Sequence, residues 1–259
     1  MHFYDERGLP TSETIQLLHN RVSVRSYTDR PVDEAHVEAI LRAAFRAPTS
    51  SNIQSYSVVV VRDAETLAKL APVTGNQKHV ANAPVFLAFC ADTRRIEHAV
   101  RACDSDMDDN NLELGLVTSI DAALVGMSAS LAAESLGLMG VMIGAIRNNA
   151  AETAKILGLP NRVYAVFGMV LGWPQDVPQQ KPRMPYESMV HLERFGNHAG
   201  GLTMEEAVSQ YDRELAEHYR GQGRKTNDDS WTAETGSKFS QRLRQKLRAE
   251  LAGQGFDFG

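Results

Sequence analysis

Residues 112–138 form the longest apolar-rich stretch of this chain, and they narrow what it can fold into. Ile120, Ala123, Leu124, Met127, Ser130 and Leu131 recur at helical spacing, while Gly126, Ser128, Ala129, Ala132 and Ala133 cover the remaining faces. A helix that is apolar or small nearly all round is buried on all sides, in a large core or in a bilayer. Glu113, Asp121 and Glu134 would each carry a charge into hydrocarbon, so a buried central helix is expected and a membrane span is not. Such a helix can also pack against a partner chain.

The rest of the chain can support that core. It is 43% hydrophobic and 23% charged over 259 residues, ordinary values for one large domain or two small ones. The net charge of −5 lacks the basic excess of a nucleic-acid binder, although local basic clusters remain able to hold a small anion. Cys90 and Cys103 are the only cysteines and stand in no metal-ligand spacing, so neither a zinc site nor a disulfide is expected. Residues Met1 to Arg7 contain no apolar run of the kind a signal peptide needs, and a cytoplasmic location is expected.

Ser12-Glu13 opens a helical pattern with Ile15, Leu18 and Val22 on its apolar side. Asp33 caps a clearer helix, in which Val37, Ile40, Leu41, Ala44 and Phe45 fall at i, i+3, i+4, i+7 and i+8 before Pro48 ends it. Tyr56–Val61 and Val85–Cys90 read as strands buried on both faces. Further strands are expected at Gly140–Ile143 and Tyr164–Leu171, with a helix at Ala151–Leu157 between them. Gln175–Pro185 reads as a loop. Thr203-Met-Glu-Glu206 has the capping-box spacing and starts a helix to about Tyr219, and a last amphipathic helix is expected over Thr232–Leu251. Strands and helices do not alternate strictly, which favours an α+β layered fold over a doubly wound one. From about Gly200 the chain looks like an extension, since two helices alone would lack a core.

No P-loop, no dinucleotide-binding glycine fingerprint and no nucleophile elbow is present. Three polar clusters remain. In Arg21-Val-Ser-Val-Arg25, alternation puts Arg21, Ser23 and Arg25 on one side, a group suited to a phosphate, although cations there also suit a helix C-terminus. Pro48–Gln54 is rich in hydroxyls and amides that suit a ligand's polar edge or simply cap a turn. Lys181-Pro-Arg183 places two cations in a rigid loop, which alone is an ordinary solvated surface. Gly144, after Gly140-Val-Met-Ile143, would let backbone approach something closely, or would serve a tight turn.

In this order the clusters resemble the nitroreductase superfamily, in particular its oxygen-insensitive NADPH nitroreductases and NADPH–flavin oxidoreductases. The likeness runs from about Thr14 onward. It is carried by residues 21–31, Pro48–Gln54, Gly75–Val80, Glu134–Asn149, Phe167–Pro174, Lys181–Arg183, and Tyr211 and Tyr219 ahead of Trp231. The resemblance implies a nitroreductase-like α+β fold: a central mixed, mainly antiparallel sheet flanked by helices, with a buried central helix. It also implies an FMN-binding core over 1–199 and a helical extension over 200–259 that belongs to the same unit and covers the site. It implies a homodimer with FMN at the interface, NADPH as electron donor and small-molecule acceptors of nitroaromatic or quinone type.

By the same resemblance Arg21, Ser23, Lys181 and Arg183 would hold the FMN phosphate, and Arg25 would stabilise negative charge on the reduced flavin. Ser50, Ser51, Asn52, Gln54 and Gln77 match ribityl and ring contacts, and Met142, Ile143, Gly144 and Ala145 match backbone passing the flavin. No side chain is needed as acid, base or nucleophile, and ping-pong kinetics follow if two substrates use one site in turn. Val22 stands where the family commonly has a second basic residue, a departure that weakens phosphate binding, or matters little if that contact is backbone. Near the NADPH 2′-phosphate the family offers arginines; here Gln222 and Asn227 take the matching places and Arg224 and Lys225 stand close by. Arg244 matches an arginine near the substrate mouth. Free flavin or oxygen as acceptor, and a flavin-binding protein without turnover, are the competing readings.

Overall fold

The computed structural model describes residues 3–108, 112–223 and 230–258. Contacts gather the chain into two units, Met1–Pro178 with Arg244–Gly259, and Gln179–Leu243.

The first unit opens with a short hairpin, β1 (Phe3–Tyr4) against β2 (Pro10–Thr11). The Ser12 side chain then caps α1 (Glu13–Asn20) by accepting from the Ile15 amide at 3.3 Å. Helix α2 (Glu34–Ala44) begins after Asp33, buries Val37, Ile40 and Ala44, and stops ahead of Pro48, as its spacing predicts. Next come β3 (Tyr56–Val61), α3 (Ala64–Val73), α4 (Lys78–Ala81), β4 (Val85–Asp92) and α5 (Arg94–Ala102). Helix α6 (Leu112–Ser135), β5 (Met139–Ile143), α7 (Ala150–Ile156) and β6 (Val163–Gly172) follow, and α11 (Leu247–Gly253) closes the unit.

The sheet has the order β3-β4-β6-β5, and every strand pair in it is antiparallel. Every residue of β4 is buried, and its period of two sorts them between two cores. Val85, Leu87 and Phe89 join α2 and α6, while Phe86, Ala88 and Cys90 join Leu67 and Leu70 of α3 with Val141 and Ile143 of β5. Helices therefore cover both faces of the sheet. Fully burying one of these large side chains contributes about 1.5–3 kcal/mol. Helix α6 lies close to the sheet because Gly126 leaves room for the Phe167 ring, which stacks on Phe89 with ring centroids 5.1 Å apart.

Several expectations need correction. Strand β3 lies at the sheet edge and is not buried on both faces, since Ser57, Val58 and Val59 are only half-buried and Val60 is 40% exposed. Helix α6 buries Thr118, Asp121, Ala122, Val125, Ala129 and Ala133, but Leu116, Ile120, Leu124 and Met127 are exposed along its other side. Its small residues meet the sheet and its large ones face away. It is long and apolar enough to cross a membrane by length and composition, yet it packs as a core helix against α2 and β4. The helix expected over 232–251 is two helices: α10 (Trp231–Phe239) in the second unit and α11 in the first. Leu251 packs with Tyr164 and Phe256, and the backbone turns at Arg244, where φ is +48°. Helix α5 escapes the sequence reading because it buries no residue and so carries little apolar signal.

The second unit contains α8 (Tyr186–Met189), α9 (Met204–Gly221) and α10. The predicted capping box is formed: the Glu206 amide donates to Thr203 Oγ1 at 3.2 Å, and the Thr203 amide donates to the Glu206 carboxylate at 3.0 Å. Tyr211, Leu215 and Tyr219 of α9 form its buried side with Met184.

Candidate functional site

The segment 21–25 leaves α1 and alternates as expected. Val22 and Val24 are buried, Arg21 and Ser23 are half-buried, and Arg25 is exposed. Two hydrogen bonds fix this register: the Val24 amide donates to Gly140 O at 3.0 Å, and the Tyr27 hydroxyl donates to Val24 O at 2.7 Å. The first of these ties the cationic segment to the start of β5. Burial raises the Tyr27 hydroxyl well above its ordinary range, which keeps it a neutral donor. Burial also raises the Glu134 carboxyl at the end of α6, against the opposing effects of a Ser130 hydrogen bond and the Arg21 charge. With the Val22 side chain buried, only its backbone faces the side shared by Arg21, Ser23 and Arg25.

His79, in α4, lies within the field of Arg25. Burial first, and Arg25 second, lower its pKa from 6.5, so the imidazole is neutral at pH 7. Its Nε2 is buried and has no hydrogen-bond partner among the described residues. Gln77, in the same turn, donates from Nε2 to Thr74 O at 2.7 Å.

The 50–54 loop is built differently. Ser51, Asn52 and Gln54 have φ of +46°, +57° and +51°, backbone that side-chain-bearing residues seldom adopt. Asp121, fully buried in α6, accepts from the Ser50 amide at 3.0 Å, the Ser55 amide at 3.2 Å and the Ser55 hydroxyl at 2.9 Å. From α5, Arg95 Nη2 donates to Gln54 O at 3.3 Å and also to Tyr56 O. A cavity of 410 Å3 lies beside the loop, bordered by Phe45, Pro48, Thr49, Asn52 and Gln54.

After β5 the chain tightens into a 3-10 helix, Gly144–Asn149. Met142 is exposed and Ile143 buried, while Gly144 and Ala145 are half-buried. Arg244 is committed locally. Its Nη2 donates to Gly144 O at 3.2 Å and its Nε to Asn148 Oδ1 at 3.1 Å, which joins the returning C-terminal segment to this turn. Arg147 donates to Val166 O. Desolvation first, and the nearby Arg244 charge second, lower the Arg147 pKa.

In the second unit, Lys181 Nζ donates to the Tyr219 hydroxyl at 2.7 Å, and Arg183 Nη1 donates to the carbonyls of Lys181 and Pro182, both at 3.1 Å. The Tyr211 hydroxyl donates to Pro182 O at 3.3 Å, so both buried tyrosines of α9 hold this loop. Arg224 and Lys225 lie outside the described residues.

Asp121, Arg95 and His79 are polar residues that the sequence does not assign to the site, Asp121 being noted there only as a charge against a membrane span. Asp121 had a visible signal, a carboxylate inside an apolar helix. Arg95 sits in a helix with little apolar signal, and His79 is distinguished only by the burial of one ring nitrogen.

The Nitroreductase family model matches residues 18–173, and that of the Nitroreductase family C-terminal domain matches 181–259. The chain is 42% identical over 222 residues to the oxygen-insensitive NADPH nitroreductase of Salmonella typhimurium strain LT2, covering 85% of this chain and 88% of that protein. It is 37% identical over 249 residues to an FMN reductase [NAD(P)H] of Bacillus subtilis strain 168, covering 95% and 98% of the two. The solved structure of B. megaterium NfrA2 superposes with a TM-score of 0.90 at 34% identity, covering 96% of this chain and all of that one. With family matches along almost its whole length and relatives at this level of identity, the chain belongs to the nitroreductase family.

Proposed function

We propose that this chain is an NADPH-dependent FMN reductase that acts as a homodimer on nitroaromatic or quinone-type acceptors. The near full-length similarity to the Salmonella nitroreductase and the Bacillus FMN reductase carries this reading. The residues present suit the cofactor. His79 Nε2 is a buried polar atom that a ligand atom would satisfy. A Cβ placed on Gly144 would meet only Arg147 Nη2, at 3.7 Å, so no backbone crowds that turn.

Bound FMN would supply the two-electron chemistry that no side chain here provides. Arg25 offers a fixed positive charge to the flavin edge where negative charge collects on reduction. Arg21 and Ser23 hold phosphate by charge and hydrogen bonding, and Lys181 and Arg183 are assigned to the phosphate on the resemblance alone. Ser50, Ser51, Asn52, Gln54 and Gln77 hold the ribityl chain and ring edge. Val22 contributes backbone only, and residues 142–145 line the ring. Arg224 and Lys225 are assigned to the NADPH 2′-phosphate. Arg244 shapes the substrate mouth by holding the Gly144 carbonyl. Donor and acceptor use the site in turn, which gives ping-pong kinetics.

The exposed Leu116, Ile120, Leu124 and Met127 of α6 support the dimer, since four large apolar side chains on one helix face favour a partner surface. A cytoplasmic location is part of the proposal. The name of the Bacillus relative supports free flavin as the competing acceptor.

An absorbance spectrum before and after anaerobic addition of NADPH tests the reading. Oxidised-flavin bands that bleach would support it. Bands that persist with both NADPH and NADH would favour a flavin-binding protein without turnover, and no bands after incubation with FMN would overturn it. Turnover with nitrofurazone, a quinone and free FMN then separates the acceptors.

A further inference from the structure

We propose that Asp121, in the middle of α6, is a positioning residue that sets the shape of the 50–54 loop and thereby its hold on flavin; this rests on the cofactor reading above. Asp121 is fully buried in a helix whose other buried residues are small or apolar, and a carboxyl in such surroundings is costly unless its oxygens are hydrogen-bonded. The donors shown for it all come from one loop. Oδ1 takes the Ser50 amide at 3.0 Å, while Oδ2 takes the Ser55 amide at 3.2 Å and the Ser55 hydroxyl at 2.9 Å.

Residues 51–54 are therefore closed into a ring whose two ends meet on one side chain. Such a short closure demands sharp turns, and Ser51, Asn52 and Gln54 all take left-handed backbone inside it. That conformation is disfavoured for residues with a Cβ and persists only where surrounding contacts over-determine it. Arg95 fixes the far end through Gln54 O and Tyr56 O. Asp121 accepts with both oxygens, which an amide could not do, and it acts on flavin only through the residues it holds.

The test reconstitutes flavin-free protein with FMN for the wild type, Asp121→Asn, Asp121→Ala and Ser55→Ala. It reads the dissociation constant, the visible spectrum of the bound flavin, and hydrogen exchange over 50–55. Affinity is expected to fall about 10-fold in Asp121→Asn and about 100-fold in Asp121→Ala, with Ser55→Ala nearest to wild type because both amide donors remain. The Asn variant should shift the flavin spectrum and speed exchange within 50–55 alone. A folded Asp121→Asn with unchanged affinity, spectrum and exchange would overturn the proposal, as would exchange raised throughout α6 and the sheet. If Asp121→Ala fails to fold, the Asn and Ser55 variants decide. Wild-type protein that takes up no FMN would overturn the cofactor reading instead, and exchange at 50–55 would still decide whether Asp121 shapes the loop.

Discussion

The segment 21–25 and the loop 50–54 both carry polar side chains, cationic in the first and neutral in the second, and they are built by different means. In the first, two buried valines alternate with polar residues, and hydrogen bonds to Gly140 and from Tyr27 hold the register. Its alternation is written in its own sequence. In the second, the polar residues take left-handed backbone, and the shape comes from Asp121 and Arg95, which are distant in sequence. The alternation of a segment can thus be written locally, while the shape of a loop can be imposed by a residue distant in sequence.

The largest expected effect would break the first half of this contrast. Val24→Asp puts a charge at a fully buried position and should cost at least about 3 kcal/mol in urea denaturation. A loss below about 1 kcal/mol would mean that burial does not hold the segment. Arg25→Ala should leave FMN bound but lower its midpoint potential by about 30–60 mV, or about 1.4–2.8 kcal/mol for two electrons. An unchanged potential would remove Arg25 from the flavin edge.

Ser51→Gly probes the second half. It relieves left-handed strain and should stabilise the protein by about 0.5–1 kcal/mol, read as a higher melting temperature, while weakening FMN binding. Destabilisation would show that the Ser51 side chain outweighs the strain. The smallest effect is a pH slope. Because the folded pKa of His79 lies below 6.5, the folded state binds fewer protons than the unfolded one. Stability is therefore full above pH 6.5 and declines as pH falls from there toward the folded value. His79→Gln should flatten that decline, and a parallel slope in the variant would show that other groups cause it.

The contrast also explains what was legible in the sequence. Tyr56–Val61 and Tyr164–Leu171 read as strands because β-branched and apolar runs of that length have few alternatives, and α2 and α9 announce themselves through spacing and caps. Arg21, Ser23 and Arg25 could be placed on one side from alternation alone. The 50–54 loop could be recognised only as polar, since its positive φ values depend on a carboxylate 71 residues beyond Ser50. The split between α10 and α11 was hidden for a related reason. One amphipathic pattern runs across it, and only the contacts of Leu251 with Tyr164 and Phe256 reveal where the second half belongs. Cys90 is buried, as the run Val85–Cys90 predicts, although the similar run Tyr56–Val61 forms an edge strand.

The return of Arg244–Gly259 to the first unit has a consequence for how the protein is made. The Glu250 carboxylate receives the Ala150 amide at 2.7 Å, Gln254 O receives the Arg162 amide at 2.7 Å, and Phe256 meets Tyr164 edge-on at 4.6 Å. Translation delivers these partners only after the whole of Gln179–Leu243 has been synthesised. During that interval, of several seconds at about 5–20 residues per second, Tyr164, Ala150 and Arg162 wait for these partners. The smaller unit has its full sequence first. Order of emergence and order of completion are therefore reversed.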